Sequence, residues 1–433
     1  MTRWLYSLLV VALLPVAMLY LLWRSRRQPD YRRHWGERFA LYPRQPAVSK
    51  PCLWLHAVSV GETRAAQPLI SALRSAYPDH ALLLTHTTPT GRATSEALYG
   101  DQVERIYLPY DTPWAMQRFL ARYQPVVGVI METELWPNLL HATRQRGIPT
   151  LLVNARLSEK SAAGYARFAR LTHATLACLD HIGAQAKADA TRFKALGAQA
   201  LTVTGNVKFD IAPPEAQLAL GKALRQRIGA RRVFLCASTR EGEEALILDA
   251  WRTHYPQVGA GNTAIPLLLI VPRHPQRFDD VARMANSLFT KVARRSQMDE
   301  LPLDVEILIG DSMGEMFAYY AAADVAFVGG SLLDFGCQNL IEPCSVGTPV
   351  LIGPSTFNFA EAAREALAGG AARQIRSADE LVRVASTLLS NDTERAALGA
   401  AGQHFAQAHR GATERTMALI AAALGNATRP TGR

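Results

Sequence analysis

The sequence predicts an α/β chain of two doubly wound, Rossmann-like domains facing a cleft, preceded by an apolar helix. Three observations predict it. Short β-branched apolar runs alternate with longer amphipathic stretches along most of the chain, which is the rhythm of βαβ units on a parallel sheet. Ala212-Pro213-Pro214-Glu215 interrupts that rhythm midway. At 433 residues the chain is long for one core, since domains usually run ~100–200 residues.

The first element is Trp4 to Trp23, a run with no charged residue. About 20 apolar residues suffice to cross a bilayer as a helix. Trp4, Tyr6, Tyr20 and Trp23 sit near its ends as interfacial anchors do, and Pro15 is tolerated inside a membrane helix. No small-residue cleavage site follows, so an uncleaved anchor is expected rather than a signal peptide. Arg24, Arg26, Arg27, Arg32 and Arg33 follow the run, against Arg3 before it. The positive-inside rule then places the body in the cytoplasm.

The alternation begins after residue 35. Leu53–Val58, Ala81–Thr85, Arg105–Leu108, Val126–Met131, Thr150–Val153, His181–Ala184 and Leu201–Thr204 read as strands, with Arg64–Tyr77, Pro113–Tyr123 and Leu135–Arg146 among the helices between them. Past the two prolines the strands are Arg232–Ala237, Leu267–Val271, Val305–Ile309, Val325–Val328 and Pro349–Ile352, and Ala378 to Leu424 is a helical tail. The expected boundaries are 1–35 for anchor and basic segment, 36–212 and 213–425 for the two domains, and 426–433 for a flexible tail.

Composition excludes several classes. Hydrophobic residues at 49% and charged residues at 19% fit a globular protein. Five cysteines, an odd number without CxxC spacing, favour a reducing compartment over a disulfide framework or zinc site. The net charge of +10 is scattered and lacks the aromatic-and-basic signature of a nucleic-acid binder. Behind an anchor it suits an anionic membrane surface. GxGxxG and GxxxxGK[ST] loops are absent from the sequence, which removes support for dinucleotide redox and P-loop chemistry. His56, His86 and His274 match no zinc spacing, so no metal is expected.

Candidate chemistry lies at the strand ends, where open α/β sheets bind ligands. Ser59-Val60-Gly61-Glu62 turns from a strand into a helix. Glu62 stands where a catalytic base would stand, or it caps the helix, since helix N-termini stabilise anions. Glu132 and Glu134 follow the strongest strand. They cap the next helix, or they divide acid and base roles by pushing each other's pKa apart. Thr88 belongs to a hydroxyl-rich loop, and Asn154, Arg156 and Lys208 bring amide and cationic groups to neighbouring ends. Cations aimed into one cleft suit phosphate or carboxylate.

In the second half, Ser238 and Thr239 open a helix, and Pro272-Arg273-His274 ends a strand with a cation for a phosphate. Met313-Gly314-Glu315-Met316 is a small-residue turn into a helix, and Gly330-Ser331 permits close backbone approach. Asn339 precedes helix-borne Glu342, a carboxylate suited to ribose hydroxyls.

These motifs together reach a family. SVGE at Ser59–Glu62, ETELWPN at Glu132–Asn138, NARLS at Asn154–Ser158 and GNVKFD at Gly205–Asp210 carry the resemblance in the first half. AST at Ala237–Thr239, VPRHPQRF at Val271–Phe278, GDSMGEM at Gly310–Met316 and NLIEP at Asn339–Pro343 carry it in the second. In these motifs, in this order over nearly the whole chain, it resembles the 3-deoxy-D-manno-octulosonic acid (Kdo) transferases of lipopolysaccharide assembly. The resemblance implies a metal-independent GT-B glycosyltransferase of the inner membrane. Its donor would be CMP-Kdo, a substrate and not a cofactor. Its acceptor would be the tetraacyldisaccharide 1,4'-bisphosphate lipid A precursor, lipid IVA. Glu62 would be the base, the first domain would bind the acceptor, and Arg273 and the Met313–Met316 amides would receive the leaving CMP. The resemblance carries no oligomeric state. One departure stands out: the family often has Gly-Gly-His-Asn where this chain has Gly336-Cys337-Gln338-Asn339. A different GT-B nucleotide-sugar enzyme, such as an epimerase, and a membrane-bound nucleotide-sugar sensor remain the alternatives.

Overall fold

The structure, a computed structural model, describes residues 1–26, 28–42, 50–256, 265–297, 302 and 304–427. Arg27 of the basic segment and residues 428–433 of the expected tail lie outside the described residues. The chain divides into two compact units, Met1–Ile211 with Arg410–Arg433, and Ala212–His409.

Unit 1 holds a parallel sheet of seven strands: β1 Cys52–His56, β2 Ala81–His86, β3 Glu104–Tyr107, β4 Pro125–Met131, β5 Thr150–Ala155, β6 His181–Ala184 and β7 Leu201–Val203, in the order β3-β2-β1-β4-β5-β6-β7. Helices cover both faces, so the central strands read as unbroken apolar runs rather than alternations. All five residues of β1 are buried. Trp54 sits opposite Gly128 in the register of β1 with β4. A Cβ on Gly128 would come within 2.8 Å of the Trp54 ring, so only glycine leaves room for the indole. The indole N–H donates to Thr85 Oγ1 at 2.8 Å.

Unit 2 repeats the plan with β8 Val233–Thr239, β9 Leu267–Pro272, β10 Val292–Arg294, β11 Ile307–Ile309, β12 Val325–Val328, β13 Val350–Ile352 and β14 Ala372–Gln374, again all parallel, in the order β10-β11-β9-β8-β12-β13-β14. Phe234, Trp251, Phe327 and Leu351 lie in its core. In each sheet the chain reverses direction of growth once beside a central strand, between β1 and β4 and between β8 and β12. Such switch points are where open α/β sheets receive ligands.

The structure departs from the sequence-based expectations in four places. The expected helix Arg64–Tyr77 is two helices, Val60–Ala65 and Gln67–Ala76, because Pro68 sits in the first turn of the second. The helix expected from Leu135 starts at Pro137, the position proline favours. Strands β10 and β14 were not expected: each has three residues at a sheet edge and carries Arg294, or Arg373 and Gln374, instead of an apolar run. The tail is three helices, and the last, Ala412–Ala427, belongs to unit 1, which corrects the expected boundary at 425. Its Ala412, Ile420 and Ala423 pack in one cluster with Leu53, Leu55, Val127 and Val153. Asp210 fastens its start by accepting the N–H of Gly411 at 2.7 Å and of Thr413.

The N-terminal helix, Arg3–Ser25, is long and apolar enough to cross a membrane by length and composition.

Candidate active site

In unit 1 the loop after β1 meets the loop after β4. Ser59 caps Val60–Ala65, its Oγ accepting the Glu62 N–H at 3.4 Å and donating to Glu62 Oε1 at 2.9 Å. The Val58 N–H donates to Oε2 at 2.7 Å. Glu62 is therefore a partner of the cap, with its carboxylate at the turn after β1. It is 8% exposed. Burial first, and then the nearby Glu132 charge, push it up to about 7, against the pull of the Val58 N–H and the Ser59 hydroxyl. At neutral pH such a carboxyl is poised to take or give a proton.

Glu132 has φ +56° and Asn154 φ +51°. Both are non-glycine residues in the left-handed region, at the ends of adjacent strands, and backbone strain of this kind collects at functional sites. The Glu132 N–H is held by the Val153 carbonyl at 2.9 Å, and its carboxylate lies 3.7 Å from Lys208 Nζ. Burial, with Glu132 beside it, also raises Glu134 to about 7. Asn154 Oδ1 accepts the Val207 N–H at 3.1 Å, which places Lys208. Thr88 caps its own helix and donates to the Val58 carbonyl at 3.1 Å, bracing the turn that carries Ser59. A Cβ at Gly61 would meet only Ser59 Oγ, at 3.8 Å, so packing does not demand glycine there. Arg156 is exposed, and its carbonyl is bonded by Thr133.

The histidines serve the scaffold. His56 Nδ1 bonds Thr85 and His86 Nδ1 bonds the Ala57 carbonyl at 2.7 Å. Burial lowers them to about 3 and about 4, so both are neutral. Among the described residues, no cluster of three or more His, Cys, Asp or Glu is placed to hold a metal ion.

In unit 2 the ends of β8, β9 and β12 converge. Ser238 has φ +55°. The Thr239 carbonyl accepts the Arg273 N–H at 3.0 Å, directly after Pro272 closes β9. Arg273 Nε donates to Gln338 Oε1 at 3.2 Å, so the residue that departs from the family pattern orients a cation. Arg240 stacks on Phe335 at 4.6 Å. His274 is held below its ordinary pKa by burial and by Arg240, Arg273 and Arg277. Three guanidinium groups around one loop suit a phosphate. Asn339 donates to Glu342 Oε1 at 3.1 Å, fixing that carboxylate at its helix start. After β11, beside β9, Ser312 donates to Glu315 Oε2 at 2.6 Å and Arg295 pairs with Glu315 at 3.3 Å. Met313 and Gly314 ride on that turn, Met313 exposed, and Met316 starts the next helix.

Gly330 and Ser331 make internal bonds. Ser331 is fully buried, donating to the Val328 carbonyl and accepting the Gly353 N–H at 2.8 Å. The Gly330 N–H goes to Glu243 Oε2 at 2.7 Å. These bonds shape the turn after β12. Glu243 itself carries no sequence-based expectation, although Glu243-Glu244 follows β8 as Glu62 follows β1. That parallel was the signal available.

Comparison with known proteins gives the family. A family model described as 3-Deoxy-D-manno-octulosonic-acid transferase (kdotransferase) matches residues 33–211. The 3-deoxy-D-manno-octulosonic acid transferase of Bordetella pertussis is 44% identical over 98% of this chain and 100% of its own length. The chain belongs to the 3-deoxy-D-manno-octulosonic acid transferase family. The Haemophilus influenzae transferase is 36% identical over 97% of this chain and 98% of its own. This Kdo transferase family member is thus a glycosyltransferase. Solved structures show the same GT-B fold: a glycosyltransferase from Rickettsia africae has a TM-score of 0.59 at 13% identity, covering 88% of this chain and 100% of that one. A UDP-GlcNAc 2-epimerase from Neisseria meningitidis has 0.58 at 13%, over 86% and 100%. At that identity the likeness is one of fold alone.

Proposed function

We propose that the chain transfers Kdo from CMP-Kdo to the tetraacyldisaccharide 1,4'-bisphosphate lipid A precursor, with inversion at the anomeric carbon. Unit 1 binds the acceptor lipid and unit 2 the nucleotide sugar. Glu62 takes the proton of the acceptor hydroxyl as its oxygen attacks the anomeric carbon. The bond from that carbon to the phosphate oxygen breaks, and CMP leaves as a phosphate monoester. Arg273 and the amides near Met313–Met316 stabilise the charge that develops on it. Lys208, beside Glu132, is placed for an acidic group of either substrate. The protein works at the inner membrane, anchored by its N-terminal helix and basic segment, with the body on the cytoplasmic face.

The observation that carries this reading is the Glu62 carboxyl: buried, at the switch point of the acceptor unit, and pushed up to about 7. Glu62→Gln keeps the shape and removes the proton acceptor, and a positioned general base contributes ~10²–10⁴-fold. Purified enzyme with CMP-Kdo and acceptor lipid in detergent, followed by product mass, should show that loss with nucleotide binding intact. Turnover near wild type would discard Glu62 as base.

A further inference from the structure

The N-terminal helix is tied to unit 1 at both ends. At its start, Tyr6 OH donates to Asp111 Oδ2 at 2.9 Å, Ser7 Oγ donates to Asn138 Oδ1 at 2.8 Å and Arg3 reaches the same oxygen at 3.2 Å. Asp111 in turn accepts the N–H groups of Asn138 and Leu139 at 3.0 and 2.8 Å. At its end, the Arg24 guanidinium lies 4.8 Å from the ring of buried Tyr31, and Arg32 Nε donates to buried Ser25 at 2.9 Å. Tyr31 lies beside Arg38, which grips the Thr87 carbonyl at 3.0 Å. The Arg38 carbonyl accepts the N–H of Tyr110, the residue before Asp111, at 2.9 Å. Both ends therefore lead to one short segment of unit 1.

A helix of 23 residues is ~35 Å long and a bilayer's hydrocarbon core is ~30 Å thick. A crossing helix would put its two ends on opposite faces. Unit 1 cannot hold both ends and stay on one face.

The less exposed positions Arg3, Ser7, Val10, Leu14, Ala17, Leu21 and Ser25 recur at helical spacing along one side. Trp4, Leu8, Val16, Leu19 and Trp23 stand on the other, each more than half exposed. Exposed Arg24, Arg26, Arg32 and Arg33 flank that apolar face, a match for anionic headgroups around a hydrocarbon layer.

We propose that the N-terminal helix does not cross the bilayer but lies in the plane of one leaflet, docked on unit 1 through Tyr6, Ser7, Asp111 and Asn138. The occupant of its outer face is lipid. This deepens the membrane location given above and rests on it. Asn138 belongs to the same loop-to-helix segment as Glu132 and Glu134, so the docking sets the carboxylate site directly beside the lipid surface.

Topology labelling tests it. Thr2→Cys and Lys160→Cys are made singly in a Cys178→Ser background, the remaining cysteines being buried. Each is exposed to a membrane-impermeant maleimide in spheroplasts and in inverted vesicles. Label on both positions in inverted vesicles, and loss of label on both in spheroplasts, supports the in-plane helix. Label at position 2 from the face opposite to position 160 overturns it. Label at both positions from the outer face leaves the in-plane helix standing and removes the cytoplasmic assignment. A chain that remains soluble beside anionic vesicles overturns the proposal. Ser7→Cys with Asn138→Cys should also form an intramolecular disulfide in oxidised membranes, while Val11→Cys with Asn138→Cys should not. Absence of the first in a folded, membrane-bound chain overturns the docking.

Discussion

Both sheets place a glutamate on the helix that follows their first strand, and the two glutamates have opposite fates. Glu62 after β1 accepts one backbone N–H and one hydroxyl, with acidic Glu132 and Glu134 nearby. Glu243 after β8 is fully buried and accepts three backbone N–H groups, from Arg240 at 2.8 Å, Gly330 at 2.7 Å and Leu332 at 3.0 Å. The topology is the same; the donor count differs. The three amide donors tie Glu243 to the glycine turn after β12. A carboxylate with fewer donors and acidic neighbours is held near its titration point. Position at a switch point is therefore insufficient to name a base; the donors around the carboxylate have to be read as well.

The same substitution should split the pair. Glu62→Gln is the largest effect on chemistry, ~10²–10⁴-fold in transfer, and because it removes a charge the fold disfavours, melting temperature at pH 8 should not fall. Glu243→Gln should do the reverse. Its amide NH₂ would face backbone donors, and removing a buried charge's role in such a network costs roughly 2–5 kcal/mol. Thermal melting and CMP binding should both decline while any remaining folded enzyme keeps its pH profile. If Glu243→Gln melts like wild type, the staple role is wrong.

The pH profile is the next test in size. A base must be ionised, and the Glu62 carboxyl is pushed up to about 7, so kcat/KM should fall as pH drops below 7, by about tenfold per unit well below the pKa. The limb should vanish in Glu62→Gln. A flat profile from pH 5.5 to 8 in wild type would erase the distinction between the two glutamates.

On the donor side, Arg273→Ala removes one charge-assisted contact of the kind worth roughly 1.5–3 kcal/mol. It should raise the KM for CMP-Kdo by roughly tenfold or more and leave that for acceptor lipid nearly unchanged. An effect confined to the acceptor would move Arg273 out of the nucleotide site.

Much of this was legible from residues alone, for physical reasons. The central strands of unit 1 are runs such as Val126–Met131 whose burial on both faces requires continuous apolar sequence, and its edge strands β3 and β7 still keep apolar residues such as Ile106 and Leu201. Strands β10 and β14 were not legible, because edge pairing needs little burial and tolerates Arg294 and Arg373. Glu62 was legible because a Ser cap and a following acid are local signals. The glycine turn at Gly330 and Ser331 was legible, but the partners that brace it, Glu243 and Gly353, are distant in sequence and were not. The return of Ala412–Ala427 to unit 1 was illegible for the same reason: its partners Leu53, Val127 and Asp210 are set by the fold. The ties of Tyr6 and Ser7 to Asp111 and Asn138 connect residues more than 100 positions apart, and no local pattern encodes them.

The smallest expected effect tests the electrostatics without any assay of transfer. Glu134 is raised from the ordinary 4.5 to about 7, by burial and by Glu132. Between those two values the folded chain binds more protons than the unfolded chain, so the group's contribution to stability falls as pH rises through that window. Below it, Glu134 is neutral in both states and resembles Gln. Glu134→Gln should therefore melt close to wild type at pH 4 and above it at pH 8, with the gap opening between them, by a few degrees at most for a partly exposed group. Glu132→Gln instead removes an ion pair, Lys208 Nζ lying 3.7 Å from the Glu132 carboxylate, and should not gain stability at pH 8. Melting curves of both variants across pH 4–8 would read this out. A gap for Glu134→Gln that is constant with pH would mean its carboxyl titrates normally, and the contrast between a strained acidic unit 1 and a satisfied unit 2 would rest on Glu62 alone.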